Sequence, residues 1–459
     1  MKSIYQWRTA ALLALAGILG ATNALAQSSV PSPIRTRAII NAKVEVGDGK
    51  TIERATIVMQ DGIITALGKD AVVPAGAEIQ DGKGLTVLPG FIDAFNTKAI
   101  KFPKLEDKQD DEAPRSDYAS AYMREANRKG VHPDICAADF LDISAATLKS
   151  YHAAGFTSAM IAPNGTIVSG TASFVLLNGR ASRHAVLAPT SAMVMGFNAG
   201  PGDDYPDSTL GSVAQLRQVL LDTQWHSAVA ATYAAGGARP APYDLALENL
   251  KPVLSGAIPP LFEANSAAEI ERGLRIAQEF RLKLLISGGN QAWRVTDRLK
   301  KANAGVLVSL AFGKEPESKK SEPDEEPEPL AVAKENRRIW QESVSNLAKL
   351  QAAGVPIALT MVGCQDYDEF RTNLELAIKA GFSRAGALQA LTASAADLLG
   401  VGRFVGRIQP GKLANLCLWD GDFVNSKSKV KMVYVDGRKI DLSRDDSGPE
   451  PRLPAKEVE

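Results

Sequence analysis

Leu85-Thr86-Val87-Leu88-Pro89-Gly90-Phe91-Ile92-Asp93-Ala94-Phe95-Asn96-Thr97 is the stretch around which the rest of the chain can be read. It has the apolar density of a strand, with an acid, Asp93, toward its carboxyl end. Side chains alternate along a strand, so Phe95 and Thr97, two apart, point the same way and would meet the same ion or substrate. Phenylalanine offers a cation no lone pair, and a threonine hydroxyl is a poor zinc ligand.

On the amino-terminal side the pattern is β from Arg37 to Gln80: Ala38–Val44, Thr56–Gln60 and Ile63–Leu67, with Asp61-Gly62 marking a hairpin. On the other side a helix over 142–154 leads into a strand over 156–162, and a short strand follows at 173–177. A helix begins at Leu210. The second half alternates strand and helix: 258–263 with 267–280, 283–287 with 291–301, 305–310 with 330–353, then 355–360 with 367–379 and 384–399. Strands alternating with helices of this length imply an α/β fold with a parallel sheet, and this many units favour a closed barrel. β character returns at 430–435, before Asp436-Gly437-Arg438.

Pro89-Gly90-Phe91-Ile92-Asp93-Ala94 resembles the opening of the first barrel strand in the amidohydrolase superfamily, where two metal-binding histidines follow. The rhythm of Val58 to Gly68, the Gly155-Phe156-Thr157-Ser158 strand entry, the run from Ala387 to Gly400 and Gly406-Arg407-Ile408-Gln409-Pro410-Gly411-Lys412-Leu413-Ala414-Asn415-Leu416 are similar to further motifs of that family. The middle of the chain resembles a secreted bacterial, imidazolonepropionase-like subgroup. The resemblance implies a (β/α)8 TIM-like barrel over residues 89–400 and a small β-sandwich from both chain ends, residues 36–88 and 401–441. It implies hydrolysis of non-peptide carbon–nitrogen bonds by water bound to a divalent metal such as zinc.

The family's ligand positions hold other residues here. Phe95 and Thr97 follow the first strand, Glu263 takes the histidine position after the fifth, and Asn290 takes it after the sixth. The eighth strand runs into Val362-Gly363-Cys364-Gln365, with Asp366 several residues past the place of the catalytic aspartate. No metal ligands are therefore assigned and no cofactor is expected from the residues. Asp93, Glu263 and Asp366 are the candidate catalytic acids, an acid/base pair being workable at separations of about 5 to 10 Å. Asn96, Asn265, Asn290 and Cys364 are the candidate substrate-binding residues. The reading of these acids as groups that hold strand ends and loops outweighs the catalytic one, and Cys364 lacks a nearby histidine to act as its base. Two readings follow: a hydrolase with an altered site, or an inactive scaffold that binds a small molecule or a partner, either as a homo-oligomer or paired with an amidohydrolase relative.

The four histidines, His132, His152, His184 and His226, fall at no expected strand end. With 52 basic and 52 acidic residues the chain has zero formal net charge, which argues against nucleic acid as a partner. Lys2 and Arg8, the apolar run Thr9–Gly20 and Ala24-Leu25-Ala26 read as a signal peptide over residues 1–26. A periplasmic or secreted protein, free of the membrane after cleavage, is expected. Cys136, Cys364 and Cys417 show no pairing pattern; one bridge or three free thiols both fit. The charged stretch 101–130 reads as a surface insertion, the Pro/Glu-rich run 314–329 as a mobile loop, and 442–459 as a disordered tail.

Overall fold

The computed structural model describes residues 36–101, 130–198, 206–240, 243–316 and 329–442. The expected signal peptide, most of the 101–130 insertion, residues 317–328 of the acid-rich run and the tail beyond 442 lie outside the described residues. Two eight-stranded sheets organise the rest.

The first sheet joins the two ends of the chain. β1 (Arg37–Glu45), β2 (Thr51–Gln60), β3 (Ile63–Gly68), β4 (Glu78–Asp81) and β5 (Thr86–Pro89) come from the start. β14 (Leu416–Trp419), β15 (Val430–Val435) and β16 (Arg438–Ile440) come from the end, in the order β16-β15-β14-β5-β1-β2-β3, with β4 beside β1. Its buried side carries Ile39, Val44, Ile57, Ile64, Val87, Leu416, Leu418 and Tyr434. The two Asp-Gly turns meet: Asp61 and Asp436 both adopt positive φ, and a Cβ on Gly437 would lie 2.8 Å from the Gly62 Cα. Only glycine fits that approach.

Gly90 is the joint between the sheets. Its N–H donates to the Asn415 carbonyl at 2.8 Å, and a Cβ there would overlap the Thr157 side chain. Beyond it the second sheet runs β6 (Phe91–Asn96), β7 (Phe156–Ile161), β8 (Val168–Leu176), β9 (Val186–Met195), β10 (Pro260–Ala264), β11 (Leu285–Gly288), β12 (Gly305–Ser309) and β13 (Ile357–Thr360), each beside the next. The sheet curls until β13 reaches β6, a nearly closed TIM-type barrel. The seam is bridged by side chains: the Met361 N–H donates to the Asp93 carboxylate at 3.1 Å and the Thr360 hydroxyl donates to the Phe95 carbonyl.

One strand departs from the all-parallel pattern. β8 runs antiparallel to both β7 and β9, while the other neighbouring pairs are parallel. The links explain it, since residues 162–167 and 177–185 are too short for a parallel crossover, which needs a dozen or more. β9 itself escapes the sequence reading because Pro189 interrupts it. The proline falls in a register shift between β8 and β9, where its carbonyl accepts the Ser173 hydroxyl at 2.6 Å.

The helices follow the expected positions with changed limits. Thr209–Ala234 is longer than read, Leu245–Leu254 is additional, and the helices expected over 330–353 and 384–399 each divide in two. The helix Ala267–Phe280 starts on a reciprocal capping box between Ser266 and Glu269. The Arg384 guanidinium ties the barrel to the first sheet through Glu45, at 2.9 and 3.0 Å, and Asp422, at 2.7 Å. Among the described residues no helix is long and apolar enough to cross a membrane.

Candidate binding site at the barrel mouth

Alternation predicts that Asp93 and Asn96 face opposite sides of their strand. The structure corrects this: β6 bulges between them, with Asp93 opposite Ala159 but Asn96 opposite Ile161. The extra residue turns Asn96 onto the side of Asp93, and the Asn96 amide donates to Asp93 Oδ2 at 3.2 Å. Tyr151, on the helix Ala145–Ala153, donates its hydroxyl to the same oxygen at 3.0 Å and accepts a short bond from the Asn96 amide. Met361 takes the other carboxylate oxygen. Asp93 is fully buried, and desolvation raises its pKa against the lowering pull of these donors. Its proximity also drives the Tyr151 hydroxyl up, after burial. The sequence reading missed Tyr151, because nothing in a helix-forming stretch marks one tyrosine as the partner of an acid far along the chain.

Glu263 sits at the end of β10 in a different setting. Its side chain is half-buried and accepts one N–H, from Gly165 in the loop after β7, at 3.0 Å. Burial raises its carboxyl pKa, and that one bond lowers it. Asn265 follows on the exposed rim, its amide folded over Gly288, whose positive φ favours glycine. Asn290 is half-buried in the turn after β11. Glu263 and Asn265 therefore stand together near Gly288 and Asn290, on the opposite arc of the barrel from the β6–β13 seam.

Asp366 is exposed and caps the helix Tyr367–Lys379, its carboxylate accepting the Glu369 N–H at 2.9 Å. That is the ordinary work of an aspartate at a helix start. Cys364 is buried between these groups, and burial, followed by the charges of Glu369 and Asp93, pushes its thiol up to about 12. A thiol so held is a poor nucleophile. Lys98 donates to the Cys364 carbonyl at 3.3 Å. All three cysteines are free thiols.

Among the described residues the donor set does not fit a divalent ion at this mouth. Phe95 is packed in the core at 1% exposure, Asp93 is fully engaged in the seam, and an asparagine occupies position 290. Among the described residues no three His, Cys, Asp or Glu side chains converge to hold a metal. All four histidines are described. His152 is buried with Nε2 2.6 Å from the Leu177 carbonyl, His184 is exposed beside Arg183, and His226 packs 3.6 Å from Glu248 between helices. His132 comes nearest the mouth, its backbone N–H donating to the Val168 carbonyl where β8 begins.

Residues 330–440 match the model of the amidohydrolase family. The fold is similar to that of an amidohydrolase from Thermotoga maritima, at 23% identity over 88% of this chain and 99% of that one, with a TM-score of 0.71. It is more distantly similar to a Xaa-Pro dipeptidase with bound methionine (17% identity, 88% and 99% covered, TM-score 0.52) and to molinate hydrolase (14%, 89% and 95%, TM-score 0.51). At these identities the likeness shows the fold alone. A comparison with curated proteins gives no match.

Proposed function

We propose that this chain is a ligand-binding protein on an amidohydrolase scaffold, descended from hydrolases of carbon–nitrogen bonds and no longer built around a divalent ion. The observation that carries this reading is the β6 end, where Phe95 is buried in the core and Asp93 is spent on holding the barrel closed. The ligand is a small polar molecule received by the rim of Glu263, Asn265 and Asn290, where side chains of suitable chemistry remain partly accessible.

Metal analysis of the full chain purified without chelator tests this directly. Well under one equivalent of zinc or other divalent ion is expected, and a full equivalent, lost with chelator together with any hydrolytic activity, would overturn the reading. A thermal-shift screen of small amides and other carbon–nitrogen compounds should then give midpoints raised by mass action without product formation.

A second reading has one observation in its favour. Glu263 is half-buried with a raised carboxyl pKa, the setting of a general base. In that case the barrel would hydrolyse its ligand without metal, and Glu263→Gln would abolish turnover while leaving ligand binding measurable. We further propose that the chain is exported, on the strength of Lys2, Arg8 and Ala24-Leu25-Ala26; a mature amino terminus at Gln27 is the expected result.

A further inference from the structure

We propose that the outer end of the helix Thr209–Ala234 is a self-association surface, through which two copies of this chain pair about a two-fold axis. The first part of the helix packs inward through Leu216, Val219, Leu220 and Thr223, and His226 is its last buried residue; none is buried from Ser227 to Ala234. Leu221, Trp225, Val229 and Tyr233 follow one another at intervals of four, the spacing of a single ridge along a helix. Leu221, Trp225 and Tyr233 on that ridge are 48%, 60% and 49% exposed. Tyr243, 77% exposed, is brought toward the same end, because the helix it precedes, Leu245–Leu254, packs alongside with Glu248 3.6 Å from His226.

The surface is uncharged as well as apolar. From Thr223 to Ala238 the sequence holds no Asp, Glu, Lys or Arg, in a chain of which 23% is charged. Its hydroxyls are turned back onto the helix, Ser227 donating to the Thr223 carbonyl at 2.8 Å and Thr232 to the Ala228 carbonyl at 2.9 Å. The helix Ala267–Phe280, joined to this one by the Arg217–Glu279 pair, shows the ordinary pattern instead, with Arg275, Gln278 and Glu279 outward. A helical end that packs on nothing gains little, since most helix stability in water comes from burying one face. A second copy is the cover that fits. Isologous pairing brings a patch against itself, so a charge near the axis would meet its own like, and here there is none. Ala228, Ala230 and Ala234 flank the ridge with small side chains, leaving grooves that receive the partner's ridge when the two helices cross. A membrane surface would call for lysines or arginines around the apolar face, which 223–238 lacks. Trp225, Tyr233 and Tyr243, each able to bury about 150 to 250 Å² when fully covered, supply with Leu221 and the alanines the greater part of the roughly 800 Å² that one partner of a stable dimer buries.

Sedimentation velocity of the full chain, from low micromolar to submillimolar concentration, reads this out. A monomer–dimer equilibrium is expected, weakened about tenfold or more by Trp225→Glu, an exposed position whose change leaves the circular dichroism as it was. Tyr233→Glu should weaken it likewise. Leu330→Glu, which alters a residue 75% exposed on another helix, should leave it intact. A monomer at every concentration, an assembly indifferent to Trp225→Glu and Tyr233→Glu, or an equal loss with Leu330→Glu would each overturn the assignment. Glu263→Gln at the mouth leaves the dimer untouched, so the surface and the mouth stand or fall separately.

Discussion

Asp93 and Glu263 both stand toward the carboxyl ends of barrel strands, β6 and β10, yet their surroundings differ in kind. Asp93 is fully buried and shared among a backbone N–H, a tyrosine hydroxyl and an amide. Glu263 is half-buried and meets one N–H. A fully buried carboxylate that holds three donors is a fastener, since opening it would strand them; one with a single donor and access to solvent is available to a ligand.

The largest effect expected from breaking this contrast is on Asp93→Ala. It leaves the Met361 N–H, the Tyr151 hydroxyl and the Asn96 amide without their acceptor at the seam, and should lower stability by about 3 to 5 kcal/mol in denaturant titration. Asp93→Asn keeps the shape and should be milder, by about 1 to 2 kcal/mol. It also changes the pH response. Both acids have folded-state pKa values above the ordinary carboxyl range, so the native protein holds those protons more tightly than the unfolded chain. From the ordinary range up to the raised values the native state binds more protons, and these two groups make stability fall as pH rises. Stability measured across that window should slope less in Asp93→Asn than in the parent. Tyr151→Phe should cost about 1 kcal/mol through the lost bond to Asp93. The smallest effect is on Glu263→Gln, less than about 0.5 kcal/mol in stability; as a binding residue its loss removes the ligand-induced thermal shift, whereas as a general base it leaves that shift and removes turnover. A large stability loss there, or none in Asp93→Ala, would erase the distinction.

Much of the architecture was legible in local chemistry. Asp-Gly marked the hairpin at 61–62 and the end of the β stretch at 436–437, and the helices Ala267–Phe280 and Tyr367–Lys379 lie where the alternation of strand and helix put them. The site was legible as a set of residues at strand ends and illegible as an arrangement. Alternation cannot foresee the bulge that turns Asn96 toward Asp93, because nothing in Asp93-Ala94-Phe95-Asn96 announces an extra residue. The partner of Asp93 across the seam is a backbone amide 268 positions away, invisible to any local pattern. Asp366 was the opposite case. Its place immediately before a helix carried the signature of a cap, and capping is what it does.

The reversed third barrel strand has a bearing on how far the chain can be shortened. Where parallel strands are clothed by the helices of their crossovers, β8 has hairpin-length links and brings no such cover. The described segment 130–141 lies along it instead: Val131 bridges to Val168, Cys136 to Thr171, and the Ala138 N–H reaches the Ser173 hydroxyl. This segment, just past the stretch read as a surface insertion, is the outer wall for a strand buried along its whole length. Trimming the chain back from residue 101 to residue 142 would remove that cover and invite association through the bared strand.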